Sequence, residues 1–337
     1  MKTTFNLTTS RCDLDRFSDR NALLSLMEGF DGVELMCFEE DERQIIPPER
    51  VIGLHMGYFP FWVDCWRGDE AALCREFGSL QRAEQYYGGL GREPILRAFR
   101  RDLENARRWG AEYAVLHTSH AAIDETFTLR YRRSHEEVID ALCEVVNELF
   151  AEEDGSLLLL LENLWQPGLT FTRPDITRRL WEGIRYPNKG FMLDTGHLLH
   201  TDLTLRTQEE GLAYIHRMLD REGDMVSHIR GIHLNQSLTG EYCRKTAEDP
   251  PAMESDYDRR CGQMFLHAFA VDQHLPFTCP GVRELPSVPM YSEATTARWC
   301  WSWCDIRKAR KKPRFSLRLF PLSHHGGGCN FWKGIVY

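Results

Sequence analysis

No glycine-rich phosphate loop occurs in these 337 residues: neither GxGxxG nor GxxxxGK[ST] is present. An open, doubly wound nucleotide-binding sheet therefore lacks its usual signature. Eleven cysteines are scattered without a single CxxC pair, which points to reduced, mostly buried thiols in a cytoplasmic protein. The opening MKTTFNLTTS has no apolar stretch of the kind that forms a secretory signal. The longest apolar run, Leu157 to Leu161 with its neighbours, is too short to span a bilayer, so no membrane partner is expected. Basic charge is not in surplus: 41 Lys and Arg stand against 50 Asp and Glu, a net charge of −9. Neutralising phosphates needs the opposite balance, which disfavours a general nucleic-acid or acidic-membrane binder. There is no short repeat of the solenoid type.

What the chain does have is an alternation of strand-like apolar runs with helix-like segments. Apolar residues make up 42% of it, enough for one large α/β barrel or two smaller domains. Strand candidates start near residues 4, 33, 51, 112, 157, 190, 229 and 288. Amphipathic spacing predicts helices over 14–29, 92–109, 134–152 and 207–221, with another entered at Thr172-Arg173-Pro174-Asp175. Ser134 and Glu137 stand at capping-box spacing. Alternating elements imply parallel pairing with right-handed crossovers, and eight is the number that closes a ring. The expected fold is a (β/α)8 TIM barrel over residues 1–296, parallel strands inside and helices outside.

Residues 297–337 are different material. They hold nine Lys and Arg, one acid (Asp305) and four of the nine tryptophans, so this tail carries +8 and the preceding 296 residues carry −17. No helix or strand period runs through it. It reads either as a basic, aromatic arm or, preferably, as a non-native extension. Pro289, inside the last strand candidate, would remove a ladder hydrogen bond, and only a short connection precedes that strand. The C-terminal end of the barrel is thus expected to be irregular or incomplete.

The apolar runs share one property: each finishes on, or beside, a histidine or an acid. They are VIGLH (51–55), AEYAVLH (111–117), LLLLLEN (157–163), GFMLDTGH (190–197), RGIHLN (230–235) and VPMYSE (288–293). Barrels of this type keep their chemistry at the C-terminal ends of the strands. Asp194 ends one run, and His197 follows three residues on, across what reads as a Gly196-assisted bend. Glu162 follows five leucines and needs a partner there, because a buried unpaired carboxylate is costly. His233 and Asn235 share a strand face. Asp272 and His274, two apart in a loop-like stretch, can point the same way. Mixed imidazole and carboxylate donors suit zinc or manganese better than they suit an all-oxygen cage. Phe59, Phe61, Trp62 and Trp165 are candidates for pocket wall or for core. The stretch 56–110 is expected over the pocket mouth, where Tyr86-Tyr87-Gly88-Gly89 reads as a hinge or an ordinary turn.

In the order VIGLH, AVLHTS, LLLENLW, GFMLDTGH, GIHLNQS and DQHLPF, these motifs resemble the xylose isomerase-like barrel superfamily. It includes sugar isomerases and epimerases and the endonuclease IV branch. The likeness covers roughly residues 1–293. In the endonuclease branch it implies nine zinc ligands, matched here by His55, His117, Glu162, Asp194, His197, His233, Asp272, His274 and Glu293. In the isomerase and epimerase branch it implies one divalent metal (manganese, cobalt, magnesium or zinc) on Glu162, Asp194, His233 and Glu293, with His197 touching substrate.

Two activities follow from the resemblance. One is isomerisation or epimerisation of a sugar or sugar phosphate, with Glu162 and Glu293 moving a proton on either side of an enediolate. The other is zinc-dependent cleavage at abasic DNA sites with up to three zinc ions. The acidic balance weighs against DNA as partner, so a small carbohydrate is the preferred substrate. A barrel without catalysis is the third reading. By analogy such barrels often associate into homo-oligomers.

Overall fold

The computed structural model describes residues 2–57 and 59–279, together with the backbone of 291–294. Eight parallel strands follow one another in chain order round a closed barrel. They are β1 (Lys2–Thr8), β2 (Gly32–Met36), β3 (Val51–His55), β4 (Tyr113–His117), β5 (Leu158–Glu162), β6 (Lys189–Asp194), β7 (Ile229–Leu234) and β8 (Tyr291–Ala294). Each starts within three residues of its position in the sequence reading. The barrel closes because β8 pairs with β7 on one side and with β1 on the other, Thr4 lying opposite Glu293. The last strand begins at Tyr291, after Pro289, rather than at residue 288 as the sequence suggested, and it closes the ring that was expected to be irregular or incomplete there. Pro289 itself and the tail 297–337 lie outside the described residues.

The two-residue period of the strands sorts side chains between two cores. Tyr113 and Val115 on β4, Leu158 and Leu160 on β5, and Met192 on β6 form a buried cluster with Ile52. Their alternates Ala114, Leu116, Leu159 and Leu161 face the other way, into the larger core shared with the helices. Leu159, Leu160 and Leu161 are fully buried. Each such side chain contributes about 1.5–3 kcal/mol over an exposed one, which is why β5 reads as an unbroken leucine run.

Helix signals in the sequence translate directly. The helix Arg92–Trp109 buries Ile95, Leu96, Phe99, Leu103 and Ala106 along one face and stops at Gly110, whose φ of 69° suits glycine. Ser134 and Glu137 form the capping box of His135–Leu149, and Thr207 and Glu210 that of Gln208–Glu222. Pro174 opens Pro174–Gly183. The helix expected over 14–29 is instead two short ones, Arg11–Leu14 and Arg20–Leu26. Asp19 accepts from the Ala22 amide and starts the second afresh. Leu14, Phe17, Leu23 and Met27 are still buried together, against β1 and β2.

The stretch 56–110 is not a lid. It folds into short helices Val63–Arg67, Glu70–Phe77 and Leu80–Tyr87 ahead of the long one. Phe59, Phe61, Phe77, Tyr86 and Tyr87 form one aromatic cluster with Tyr257, and the Tyr87 hydroxyl donates to the Phe61 carbonyl. Phe59, Phe61 and Trp62 are core residues. Gly88, with φ 73°, is an ordinary helix stop. Among the described residues, no helix is long and apolar enough to cross a membrane.

Candidate metal centre

Five strands deliver a chemically active side chain to the same end of the barrel. His55, His117, Glu162 and Asp194 are the last residues of β3, β4, β5 and β6, and His233 is the penultimate residue of β7. Register aligns them: His117 lies opposite Glu162, and Asp194 opposite His233. The Asp-x-x-His spacing turns out to be a helix start. Asp194 caps the short helix Thr195–Leu199, its Oδ1 accepting the His197 amide at 2.7 Å, and so His197 rides on the first turn. Gly196 is not the bend that the sequence suggested. It sits inside a helix, and a side chain there would run into the Asn235 amide. That close approach lets Asn235 Nδ2 donate to Asp194 Oδ2 at 2.9 Å. Asn163 holds the Asp194 backbone from the other side, accepting at 2.8 Å and donating at 3.0 Å.

Asp272 and His274 come from the far side of the chain. The helix Tyr257–Val271 ends at Asp272. Ser237, just past β7, ties the following turn down: it donates to Asp272 Oδ1 at 3.1 Å and accepts the amides of Gln273 and His274. His274 has φ 45°, a conformation that a non-glycine residue adopts at a cost and that the three Ser237 bonds hold in place.

Together these residues make three donor sets, each with ligand atoms within 4.8 Å of one another: His55, His117 and Glu162; Glu162, Asp194 and His233; Asp194, His197 and His274. Glu162 is shared. Its Oε2 lies 3.2 Å from His55 Nε2 and 3.1 Å from His117 Nε2, while Oε1 lies 3.0 Å from His233 Nδ1 and 3.4 Å from His197 Nδ1. Asp194 Oδ2 is 3.8 Å from His233 Nδ1 and 3.9 Å from His274 Nε2. Asp272 Oδ2 lies 3.1 Å from His197 Nε2 and 2.7 Å from His274 Nε2. His197 Nδ1 donates to the Asn163 carbonyl at 2.8 Å, leaving Nε2 for the Asp272 side. Eight of the nine residues singled out in the sequence thus meet at one place. Glu293 lies on β8 with its backbone opposite His233; its side chain is outside the described residues.

The electrostatics are those of charges held out of water. Burial opposes ionisation of Glu162, yet His233 and His117 hold it well below the usual carboxylate range. His274 and His197 do the same for Asp272. Burial also opposes protonation of His197, but Asp194 and Asp272 outweigh it and lift the imidazole to about 10. His274 is raised to about 9 by Asp272 against the same penalty. For His117 burial wins over Glu162, and the ring falls to about 4.

A divalent cation fits this donor set. Ligand atoms about 2.0–2.2 Å from a tetrahedral ion stand roughly 3.3–3.6 Å apart, and the contacts given above within the three sets run from 3.0 to 3.9 Å. The mixture of imidazole and carboxylate suits zinc, manganese or cobalt. Buried carboxylates gathered at this density are what a positive ion balances.

Above the donors lies a pocket of about 560 Å³ lined by Trp165, Thr8, Asn6, His200, Phe269 and Leu275, among others. Trp165 therefore belongs to the pocket wall, its ring 5.3 Å from that of His197 and 4.8 Å from that of His200. From 56–110 only Pro60 reaches the lining, and no Lys or Arg does, among the described residues. Sequence reasoning passed over Glu34, Asn163, Ser237 and His200. Glu34 sits inside a strand rather than at its end, so the strand-end rule does not find it. An acid in the middle of the apolar run Gly32–Met36 was the available signal.

The sequence matches the family described as xylose isomerase-like TIM barrel over residues 25–286. No curated protein matches it. Among solved structures, the chain resembles a D-tagatose 3-epimerase-like protein at 14% identity and TM-score 0.44, covering 92% of this chain and 96% of that one. It also resembles 3-keto-D-glucoside 4-epimerase from E. coli at 13% identity and TM-score 0.41, covering 93% and 100%. L-ribulose 3-epimerase follows at 12% identity and TM-score 0.40, covering 95% and 89%.

Proposed function

This chain belongs to the xylose isomerase-like TIM barrel family, and on that premise we propose that it is a divalent-metal-dependent carbohydrate isomerase or epimerase. The observation that carries the reading is the Glu162, Asp194 and His233 donor set beside a pocket whose lining includes Trp165 and Phe269. Glu162, Asp194, His233 and Glu293 would hold the ion. When bound, the cation supplies Lewis-acid polarisation of a substrate carbonyl. Trp165 offers a flat apolar face for a sugar ring, and His197 faces the same space. Proton transfer falls to Glu162 and Glu293, on strands three places apart round the ring. The neighbouring imidazoles keep Glu162 in its ionised form.

The test is exchange of a carbon-bound hydrogen. Protein stripped with a chelator and reloaded with manganese, cobalt, magnesium or zinc is incubated with a panel of ketoses and aldoses in deuterium oxide. Deuterium incorporation with about one ion per chain, lost in Glu162→Gln, is the expected result. No incorporation into any sugar with any of these ions would sink the reading.

A second reading has its own support. His55 and His117 on one side, and Asp272 and His274 on the other, are more donors than one ion needs, and Glu162 and Asp194 are shared between sets. That arrangement suits a zinc cluster acting on a phosphodiester at an abasic site. The charge of −17 over residues 1–296 weighs against DNA. About three zinc ions per chain, with cleavage of an abasic duplex abolished in Asp194→Ala, would replace the first reading by this one.

A further inference from the structure

We infer that Glu34 is a positioning residue for His233, itself held by Tyr113 across a notch at Gly53. This rests on the metal reading above and is separable from the choice of reaction. Glu34 is fully buried on β2. It lies opposite Gly53, two residues below the level at which Met36 meets His55, so it occupies the layer beneath the donors. Its carboxylate accepts from His233 Nε2, at 3.1 Å to Oε1 and 3.3 Å to Oε2. The Tyr113 hydroxyl donates to Oε2 at 2.7 Å. Tyr113 is likewise fully buried, and its ring passes over Gly53, where any side chain would collide with it. Three adjacent strands therefore cooperate in one contact: β3 supplies the gap, β4 the hydroxyl and β2 the acid.

The consequence lies at the other edge of the imidazole. With Nε2 committed to Glu34, Nδ1 points at Glu162 Oε1, 3.0 Å away, and Asp194 Oδ2, 3.8 Å away. An imidazole that donates through one nitrogen presents the lone pair of the other, and such a carboxylate behind a ligating histidine fixes both tautomer and ring orientation. Turning the ring over would leave Glu34 buried without its partner, which is costly. Packing alone would be served as well by an apolar residue, since Ile52, Val115 and Leu160 fill the same interior.

Metal affinity measured apart from stability tests this. In Glu34→Gln the amide oxygen still accepts from His233 and the amide still reaches the Tyr113 oxygen, so the fold is retained and only the charge behind the imidazole goes. Cobalt binding to metal-stripped protein, titrated against a chelator of known affinity, is expected to weaken 10- to 100-fold, with the thermal midpoint of the stripped protein unchanged. Tyr113→Phe, which frees Glu34 on one side only, is expected to weaken it less. Cobalt bound as tightly by Glu34→Gln as by the parent overturns the inference and leaves the metal reading intact. Should Glu34→Gln not fold, an unaltered affinity in Tyr113→Phe overturns it in the same way. A parent protein that takes up no cobalt, zinc or manganese overturns both.

Discussion

The two halves of the barrel interior are built by the same strands under opposite rules. In the lower half Tyr113, Val115, Leu158, Leu160 and Met192 exclude water and ask nothing of one another but shape. In the upper half, one alternation further along β4, β5 and β6, the inward residues are His117, Glu162 and Asp194. Those groups are 12% exposed or less and would be destabilising anywhere else in the molecule. The difference teaches how a barrel divides labour: hydrophobic layers supply the stability, and that surplus lets the fold keep a cluster of charges out of water. Glu34 marks the boundary, an acid in the apolar layer whose partners are one histidine above and one tyrosine beside it.

Substitution on either side of that boundary would break or sharpen the contrast. The largest effect is expected from Glu162→Ala, which removes a residue common to two donor sets: metal uptake and turnover should both fall below detection, as read by elemental analysis and a deuterium-exchange assay. Leu160→Ala, directly beneath, is expected to lower unfolding free energy by about 2–5 kcal/mol in urea, with metal stoichiometry unaltered. If metal content falls in parallel, the two halves are not independent. Adding cobalt at about 100 times its dissociation constant should stabilise the parent by about 2.7 kcal/mol, seen as a rise in thermal midpoint that Glu162→Ala lacks.

A smaller effect lies outside the barrel. Burial on the helix Glu70–Phe77 pushes the Glu76 carboxyl up to about 7, against the pull of the Ile123 amide. Its folded form therefore holds a proton that the unfolded chain releases near 4.5. Stability from this group is present below that value and is lost as the pH rises towards 7. Glu76→Gln should abolish that slope, gaining on the parent by about 1 kcal/mol between pH 5 and pH 8 in urea midpoints, discounted because the side chain is only half-buried.

The fold was legible because each strand is short, apolar and bounded by a polar residue, and because the start signals at Ser134 and Pro174 mark helix starts. Where the sequence misled, a local side-chain bond decided the outcome. Asp19 restarted a helix that apolar spacing alone would have run straight through. Gly196 reads as a turn residue, yet it is required by the nearness of Asn235, 39 positions away in sequence. The donor positions were visible as strand-end acids and histidines. Their supports were not: Asn163, Ser237 and Glu34 contact Asp194, Asp272 and His233, and no sequence period records a partner that lies far along the chain. In residues 56–110 the rings that could have served either as pocket wall or as core serve an aromatic core.

The seam between β1 and β8 has a consequence for how the molecule is made. Residues 2–4 pair along one edge with residues 291–293, so during synthesis the first strand waits with that edge bare until almost the whole ring has emerged. An exposed edge of that kind invites pairing with another nascent chain. Slowing translation ahead of β8 should therefore favour aggregation over soluble yield.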